Sequence, residues 1–312
     1  MPEAIMTDAQ RISGVLSPVV TPFDADLRPD GEKLAQHCRW LLDNDVGLAV
    51  FGTNSEANSL SLQEKMSLLS SLVESGIPGE RMMPGTGCCS ISESVELTRH
   101  AVNLGCAGTL MLPPFYYKGV SDEGLFRNYS EIIQRVGDSR LRIYLYHIPP
   151  VAQVPISMDL IERLLKEYPG TIAGVKDSSG DWSNTKRMLD LFQPEGFDVF
   201  AGSETFLLQV LRAGGAGCIS ATANVNPGPI AALGKTWRQA DADEQQTQLD
   251  DVRNVFQDYV MIPALKAAVA HYGSMPEWIT LRPPLVELNE SQRADLIGKL
   301  DAAGFTMPGL AG

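Results

Sequence analysis

The sequence predicts an α/β protein, a (β/α)8 TIM barrel with a small C-terminal helical extension. Eight short apolar runs alternate with eight segments of helical periodicity, a pattern typical of a parallel sheet with helices outside it. Eight such units fit a closed barrel, which takes roughly 250 residues. An open doubly wound sheet is the alternative, but the turn after the first run, residues 21–24, lacks the glycines of a nucleotide-binding loop.

The predicted elements follow from these runs in chain order. Each strand ends in a polar or proline-containing turn, and the strands cover residues 14–20, 47–51, 81–85, 109–112, 142–146, 172–176, 198–201 and 217–220. The helices cover about residues 31–44, 62–75, 91–104, 122–136, 158–168, 184–191 and 204–213, and an eighth begins near residue 227. Asp30 and Ser157 are predicted N-caps, because their side-chain oxygens can accept the free N–H groups of a first helical turn.

The chain divides by the same pattern into two parts. We place the barrel, with the catalytic site, in residues 1–240 and the helical extension packed on it in residues 241–312. The clearest helical patterns of the extension are Met261–Tyr272 and residues 291–300.

Composition limits the possible partners. The chain has 312 residues and a formal net charge of -13, without clusters of Lys or Arg, which argues against nucleic acid and anionic membrane surfaces. No apolar run approaches the roughly 18–20 residues that span a bilayer. Scattered cysteines in mostly apolar surroundings favour free thiols in a reducing cytoplasm over a disulfide framework. They are Cys38, Cys88, Cys89, Cys106 and Cys218.

Lys176 is the central candidate for chemistry. It ends the apolar run that begins at Ile172, and barrels of this class place their active sites where the strands end. Burial favours the neutral form of an amine, and a neutral amine attacks a carbonyl carbon to form a Schiff base. The alternative is a lysine that reaches solvent from the strand end and pairs with Asp177.

Other polar side chains follow the remaining strands. Hydroxyl and backbone N–H groups at Thr53 and Asn54 can hold a carboxylate, and the phenol of Tyr146 can move protons. We predict a catalytic role for Lys176, Tyr146, Thr53, Tyr116 and Tyr117. The predicted substrate-binding residues are Thr53, Asn54, Ser55, Ser203, Glu204, Ile219 and Ser220.

Each of these residues also has a structural interpretation. Residues 53–55 could be a helix-capping turn, and Tyr146 could be a core tyrosine with its hydroxyl at the rim. Tyr116 and Tyr117 could serve loop packing or an interface. His147, the one histidine at a strand end, is expected to support its loop. We expect no metal and no organic cofactor, because a protonated imine is itself an electron sink.

Three of these motifs together resemble the N-acetylneuraminate lyase / dihydrodipicolinate synthase superfamily of class I, Schiff-base-forming aldolases. They are the runs at residues 52–56, 146–149 and 174–181, and the likeness extends from about Gly14 to Leu300. The resemblance implies a Schiff-base role for Lys176, a proton-shuttling role for Tyr146 and a pyruvate-carboxylate site at Thr53 and Asn54. It also implies a homotetramer, a dimer of dimers, in which Tyr116 or Tyr117 reaches a neighbouring subunit's site.

The resemblance therefore implies cleavage or formation of a 2-oxo acid, either a 2-keto-3-deoxy acid or a 4-hydroxy-2-oxo acid, with pyruvate as product or co-substrate. The alternatives are dehydration of a 2-keto-3-deoxy sugar acid through the same imine, dihydrodipicolinate synthase itself, and a 2-oxo acid-binding homologue without turnover. Residues 150–153 contain no arginine where the synthases carry one for the aldehyde's carboxylate. We therefore expect negligible condensation of pyruvate with aspartate semialdehyde, unless Lys118 or Arg282 replaces that arginine.

Overall fold

The computed structural model describes residues 11–310, in which parallel strands form a barrel inside a layer of helices. The strands are β1 (Gly14–Ser17), β2 (Gly47–Leu48), β3 (Thr109–Met111), β4 (Ile143–His147), β5 (Ile172–Asp177), β6 (Asp198–Ala201) and β7 (Gly217–Ile219). The barrel helices are α1 (Gly31–Asp43), α2 (Leu62–Glu74), α3 (Ile91–Asn103), α4 (Asp122–Val136), α5 (Pro149–Ala152), α6 (Met158–Glu167), α7 (Trp182–Phe192), α8 (Leu207–Arg212) and α9 (Pro227–Thr236). The last helices are α10 (Ala242–Gln257), α11 (Met261–Tyr272) and α12 (Glu290–Ala302).

An extended segment at residues 82–86 closes the barrel between the two edge strands. The strands pair in the order β2-β1-β7-β6-β5-β4-β3, all in parallel. The N–H of Met83 donates to the carbonyl of Leu48 at 2.8 Å, and the N–H of Thr86 donates to that of Leu110 at 2.9 Å. The strand predicted at residues 81–85 is therefore present as isolated bridges rather than a continuous ladder, because Pro84 has no N–H to donate.

Several predicted boundaries shift for local reasons. The first strand ends at Ser17 rather than residue 20, because Pro18 lacks an N–H group. A short helix begins at Pro149, where the sequence predicted only a stop; proline is well suited to a first helical position. The predicted caps are confirmed: Asp30 accepts from the N–H of Lys33, and Ser157 accepts from that of Leu160.

Two apolar layers hold these elements together. An inner cluster fills the barrel with one or two side chains from each strand except β2, and its largest members include Leu16, Leu110, Tyr144, Tyr146 and Phe200. A larger outer cluster lies between the strands and the helices. Alternate residues of one strand serve the two layers because successive side chains point to opposite faces.

The C-terminal helices pack on the barrel and on each other. α10 packs against α9 and α12, and α11 packs against the turns at residues 53–55 and 221–224, where strands end. Buried residues of all three helices belong to the outer apolar cluster. The division at residue 240 stays a prediction. Within residues 11–310, no helix combines the length and apolar character needed to cross a bilayer.

Candidate active site

Lys176 is buried inside the barrel near the C-terminal end of β5. Its side chain is 2% exposed, and its Nζ donates to the hydroxyl of Tyr146 at 3.1 Å. The register explains this contact, because Tyr146 on β4 lies directly opposite Lys176 in the parallel pair. The lysine does not reach solvent from the strand end.

Tyr146 links the lysine to the loop after β2. The hydroxyl oxygens of Tyr146 and Thr53 are 3.3 Å apart, which completes a series of amine, phenol and alcohol. Burial alone would raise the pKa of Tyr146, but the charge of Lys176 and hydrogen bonds with Thr53, Lys176 and Ser178 hold it below its ordinary value. A phenol so tuned is a better proton carrier near neutral pH than a free tyrosine.

The loop that carries Thr53 is held in a tight conformation. Phe51 and Glu56 flank it with φ values of 61° and 55°, a left-handed conformation that costs about 1–3 kcal/mol for residues other than glycine. The carboxylate of Glu56 is fixed by the buried Nζ of Lys266 at 2.8 Å and by the N–H of Arg282 at 3.1 Å. Residues of the C-terminal extension thus hold the loop in place through Glu56.

A cavity of about 580 Å³ opens above Lys176. Thr53, Asn54, Tyr146 and Ser178 contribute to its inner wall. Gly202 lies beside Ser178 so closely that a Cβ there would overlap its side chain. Residues of α10, the turn after it and the start of α11 also line the cavity. They are Arg253, Gln257, Val260, Met261 and Ile262.

Asp177 and His147 lie at the adjacent strand ends, where they support loops. Asp177 points away from Lys176, and its carboxylate accepts from Ser179, Asn184 and Thr185, so it is not the partner of the lysine. The Nδ1 of His147 accepts the N–H of Ile156 at 3.0 Å, the supporting contact that the sequence led us to expect. Burial lowers the pKa of His147, although Asp177 acts in the opposite direction.

The remaining predicted substrate-binding residues are Ser203, Ser55, Ile219, Glu204 and Ser220, and they differ in whether they reach the cavity. Ser203 lines the cavity. The hydroxyl of Ser55 accepts the N–H of Gly52 at 3.1 Å, and Ile219 is buried in the inner cluster. Glu204 is 1% exposed and accepts from the hydroxyl of Ser220. Of the residues predicted to bind substrate, Thr53, Asn54 and Ser203 line the cavity.

Tyr116 and Tyr117 lie outside the cavity of the single chain. Their exposed fractions are 74% and 72%, and their rings lie edge to face with their centroids 5.3 Å apart. Their catalytic role stays a prediction.

Sequence analysis missed Arg253, which lines the cavity from α10. The arginine lies four residues after the buried Leu249 and three before the buried Phe256, so it falls in the apolar stripe of its helix. An arginine in such a stripe is the signal that could have revealed it.

The two basic residues considered earlier as substitutes for the missing arginine have other partners. Lys118 donates to the carbonyls of Phe115 and Ala152. The guanidinium of Arg282 pairs with the carboxylate of Glu64. Among residues 11–310, no group of three or more His, Cys, Asp or Glu is arranged to hold a metal ion.

Comparisons with known proteins place this architecture in a family. The family model described as the Dihydrodipicolinate synthetase family matches residues 11–303. An uncharacterized DapA-like lyase of Chloroflexus aurantiacus is 33% identical over 287 residues, covering 91% of this chain and 94% of that protein.

Two solved structures share the fold over nearly their whole length. The dihydrodipicolinate synthase of Agrobacterium tumefaciens superposes with a TM-score of 0.85 at 32% identity, covering 93% of this chain and 99% of that one. YagE, a prophage protein of the dihydrodipicolinic acid synthase family from E. coli, was solved in complex with pyruvate. It gives a TM-score of 0.85 at 26% identity and covers 94% of this chain and 99% of that one. The chain therefore belongs to the dihydrodipicolinate synthetase family, a family of lyases.

Proposed function

We propose that this chain is a class I lyase that acts on a 2-oxo acid, with pyruvate as product or co-substrate. The observation that carries the proposal is the series of Lys176, Tyr146 and Thr53 at one wall of the cavity. A buried amine beside a proton-carrying phenol suits the formation and hydrolysis of an imine. The relative solved with pyruvate bound supports this choice of 2-oxo acid.

Each residue then has a defined task. Nζ of Lys176 attacks the C2 carbonyl carbon of the substrate, and the carbonyl oxygen leaves as water after proton transfers through the Tyr146 hydroxyl. Thr53 and Asn54 hold the C1 carboxylate with neutral donors. They add no second positive charge beside the amine that must lose its proton.

Cleavage follows from the protonated imine. A base takes the proton of the C4 hydroxyl, the C3–C4 bond breaks, and its electron pair moves into the imine to give an enamine and an aldehyde. Protonation at C3 and hydrolysis of the imine by water release pyruvate and regenerate the lysine. Run backward, the same steps condense pyruvate with an aldehyde.

Dihydrodipicolinate synthase itself is the second candidate. The relative from Agrobacterium tumefaciens bears that name at 32% identity. Our sequence-based argument against it was the missing arginine after β4, and Arg253 places a different arginine at the cavity. Aspartate semialdehyde therefore belongs among the aldehydes to be tested.

Borohydride trapping tests the imine directly. Incubation with pyruvate and borohydride should add one reduced pyruvyl group to the peptide that contains Lys176. The adduct should be absent from Lys176→Met and present in Lys186→Ala, which removes an exposed lysine paired with Asp190. An adduct at another residue, or an undiminished one in Lys176→Met, would refute the proposal.

A turnover screen then identifies the reaction. Candidate 2-keto-3-deoxy and 4-hydroxy-2-oxo acids are supplied and the products are identified by mass spectrometry. Pyruvate plus an aldehyde indicates a lyase of carbon–carbon bonds, and a 2-oxo semialdehyde indicates a dehydratase. Adduct formation without turnover of any acid would favour a binding homologue.

The proposal extends to assembly and location. We propose a homotetramer, a dimer of dimers, in which Tyr116 or Tyr117 reaches a neighbouring subunit's site; their exposure in the single chain supports this. Sedimentation of the wild type and of Tyr117→Ser measures the assembly. The five free thiols of the described residues agree with the cytoplasmic location that we propose.

A further inference from the structure

Arg253 is a largely buried cation whose hydrogen-bonding capacity is mostly unused. Its side chain is 13% exposed, and its Nη1 lies 3.5 Å from a carboxylate oxygen of Glu204. Its Nε is buried and has no hydrogen-bond partner among residues 11–310. Burying a guanidinium is costly unless its donors are used, so the cavity offers a strong site for an anion.

Glu204 does not account for the position of this arginine. The two carboxylate oxygens of Glu204 accept hydrogen bonds from the hydroxyls of Ser220 and Thr222. A contact of 3.5 Å to one nitrogen is longer than a charge-assisted hydrogen bond, and it is not the two-pronged pairing of an arginine with a carboxylate. Arg253 lines the cavity while Glu204 lies behind it, outside the cavity-lining residues.

Arg253 and the Thr53–Asn54 pair line the cavity from different elements. Thr53 and Asn54 follow β2, whereas Arg253 comes from α10. Among residues 11–310, Lys176 and Arg253 are the two basic residues that line this cavity. Lys176 has its role at the C2 carbonyl, so Arg253 is available for a group at another position on the substrate.

We infer that Arg253 binds a second carboxylate at the end of the substrate distant from the imine. The inference rests on the proposed function and specifies its substrate class, a 4-hydroxy-2-oxo dicarboxylic acid. The aldehyde fragment of such a substrate itself carries a carboxylate. The planar guanidinium suits this group because it can donate two parallel hydrogen bonds to it.

The test uses two substrates that differ only at the distal end. Cleavage of 4-hydroxy-2-oxoglutarate yields pyruvate and glyoxylate, whereas 4-hydroxy-2-oxopentanoate ends in a methyl group and yields pyruvate and acetaldehyde. For Arg253→Gln we expect kcat/KM to fall roughly 10- to 150-fold with the dicarboxylic acid, the size expected for hydrogen bonds to a charged group. The value for the methyl-ended acid should remain close to that of the wild type.

Two further variants sharpen the result. Arg253→Lys keeps the charge but loses the planar fork, and should fall between the wild type and Arg253→Gln. Arg212→Gln removes an exposed arginine that pairs with Asp243 and leaves the cavity untouched, so it controls for the overall charge. It should leave both kcat/KM values unchanged.

The outcomes separate this inference from the proposed function. Equal losses on both acids, no loss on either, or a wild type that does not prefer the dicarboxylic acid would overturn the role of Arg253. The pyruvate adduct at Lys176 would remain in each of those cases. Absence of that adduct in the wild type would instead remove the proposed function.

Discussion

Lys176 and Lys266 are both almost completely buried, at 2% and 0% exposure, but their surroundings differ. Lys266 on α11 pairs with the carboxylate of Glu56 at 2.8 Å, and burial lowers its pKa while Glu56 acts in the opposite direction. Lys176 on β5 contacts the phenol of Tyr146 and lines a cavity.

The comparison shows that burial alone does not identify a catalytic lysine. Lys266 is paired with a carboxylate and is not among the residues that line the cavity beside Lys176. Lys176 has a phenol as its partner and lines an open cavity, the arrangement that the proposed attack on a carbonyl carbon requires. The two lysines are therefore distinguished by their partners, a phenol or a carboxylate, and by the cavity that only Lys176 of the two lines.

Replacing Lys176 should give the largest effect. Lys176→Met keeps the length of the side chain and removes the nucleophile, so turnover should fall on the order of 10⁶-fold, as when a covalent nucleophile is lost elsewhere. The free energy of unfolding should change little. Retention of a substantial fraction of wild-type turnover would contradict covalent catalysis by this residue.

Replacing the structural lysine should act on stability. Lys266→Met leaves Glu56 as an uncompensated buried charge, and we expect a loss of about 3–5 kcal/mol in the free energy of unfolding. Urea denaturation measures it. Adding Glu56→Gln should restore part of the loss by removing the second charge; a double variant less stable than Lys266→Met would show that the pair is not the cause.

The role of Tyr146, the partner of Lys176, can be tested without disturbing the packing of its ring. Tyr146→Phe keeps the ring in the inner cluster and removes only the hydroxyl. General acid–base contributions are typically about 10²–10⁴-fold, so single-turnover cleavage should slow by about that factor. An unchanged single-turnover rate would leave Tyr146 with a packing role alone.

A partly exposed ion pair, Arg282 with Glu64, should give the smallest effect. Arg282 lowers the pKa of Glu64 from 4.5 to about 2 through its hydrogen bonds. A carboxyl whose pKa is lower in the folded state stabilises the fold above pH 4.5 and loses that contribution as the pH falls toward 2.

The pair is partly exposed, so we expect Glu64→Gln to cost about 1 kcal/mol at neutral pH. The difference between wild type and variant should shrink below pH 4.5. A difference that is constant with pH would attribute the effect to something other than the charge. Arg282→Lys, which keeps the charge, serves as the companion variant.

Sequence reasoning succeeded where the signal is local. Apolar runs, turn residues and N-caps such as Asp30 and Ser157 act within a few positions, and they located the β/α units. Lys176 could be identified because a lysine that ends an apolar run is unusual in itself.

Contacts between distant parts of the chain could not be predicted in the same way. Lys266 and Glu56 are separated by 210 positions, and Arg253 and Glu204 by 49. The structural role of Ser55, which accepts the N–H of Gly52, could not be distinguished from substrate binding, because both roles need a short side chain with a hydroxyl group. A local sequence pattern can indicate that a residue is unusual, but it does not indicate which distant residue contacts it.

The position of α10 has a consequence for how the substrate preference of this protein can evolve. The residues proposed to form the imine belong to barrel strands and the loops after them, whereas some residues of 253–262, beyond the last β/α unit, also line the cavity. Under the proposed function, substitutions in that short stretch can alter which aldehyde fragment is accepted while Lys176, Tyr146 and Thr53 stay unchanged. A new substrate can then be acquired without rebuilding the proposed catalyst.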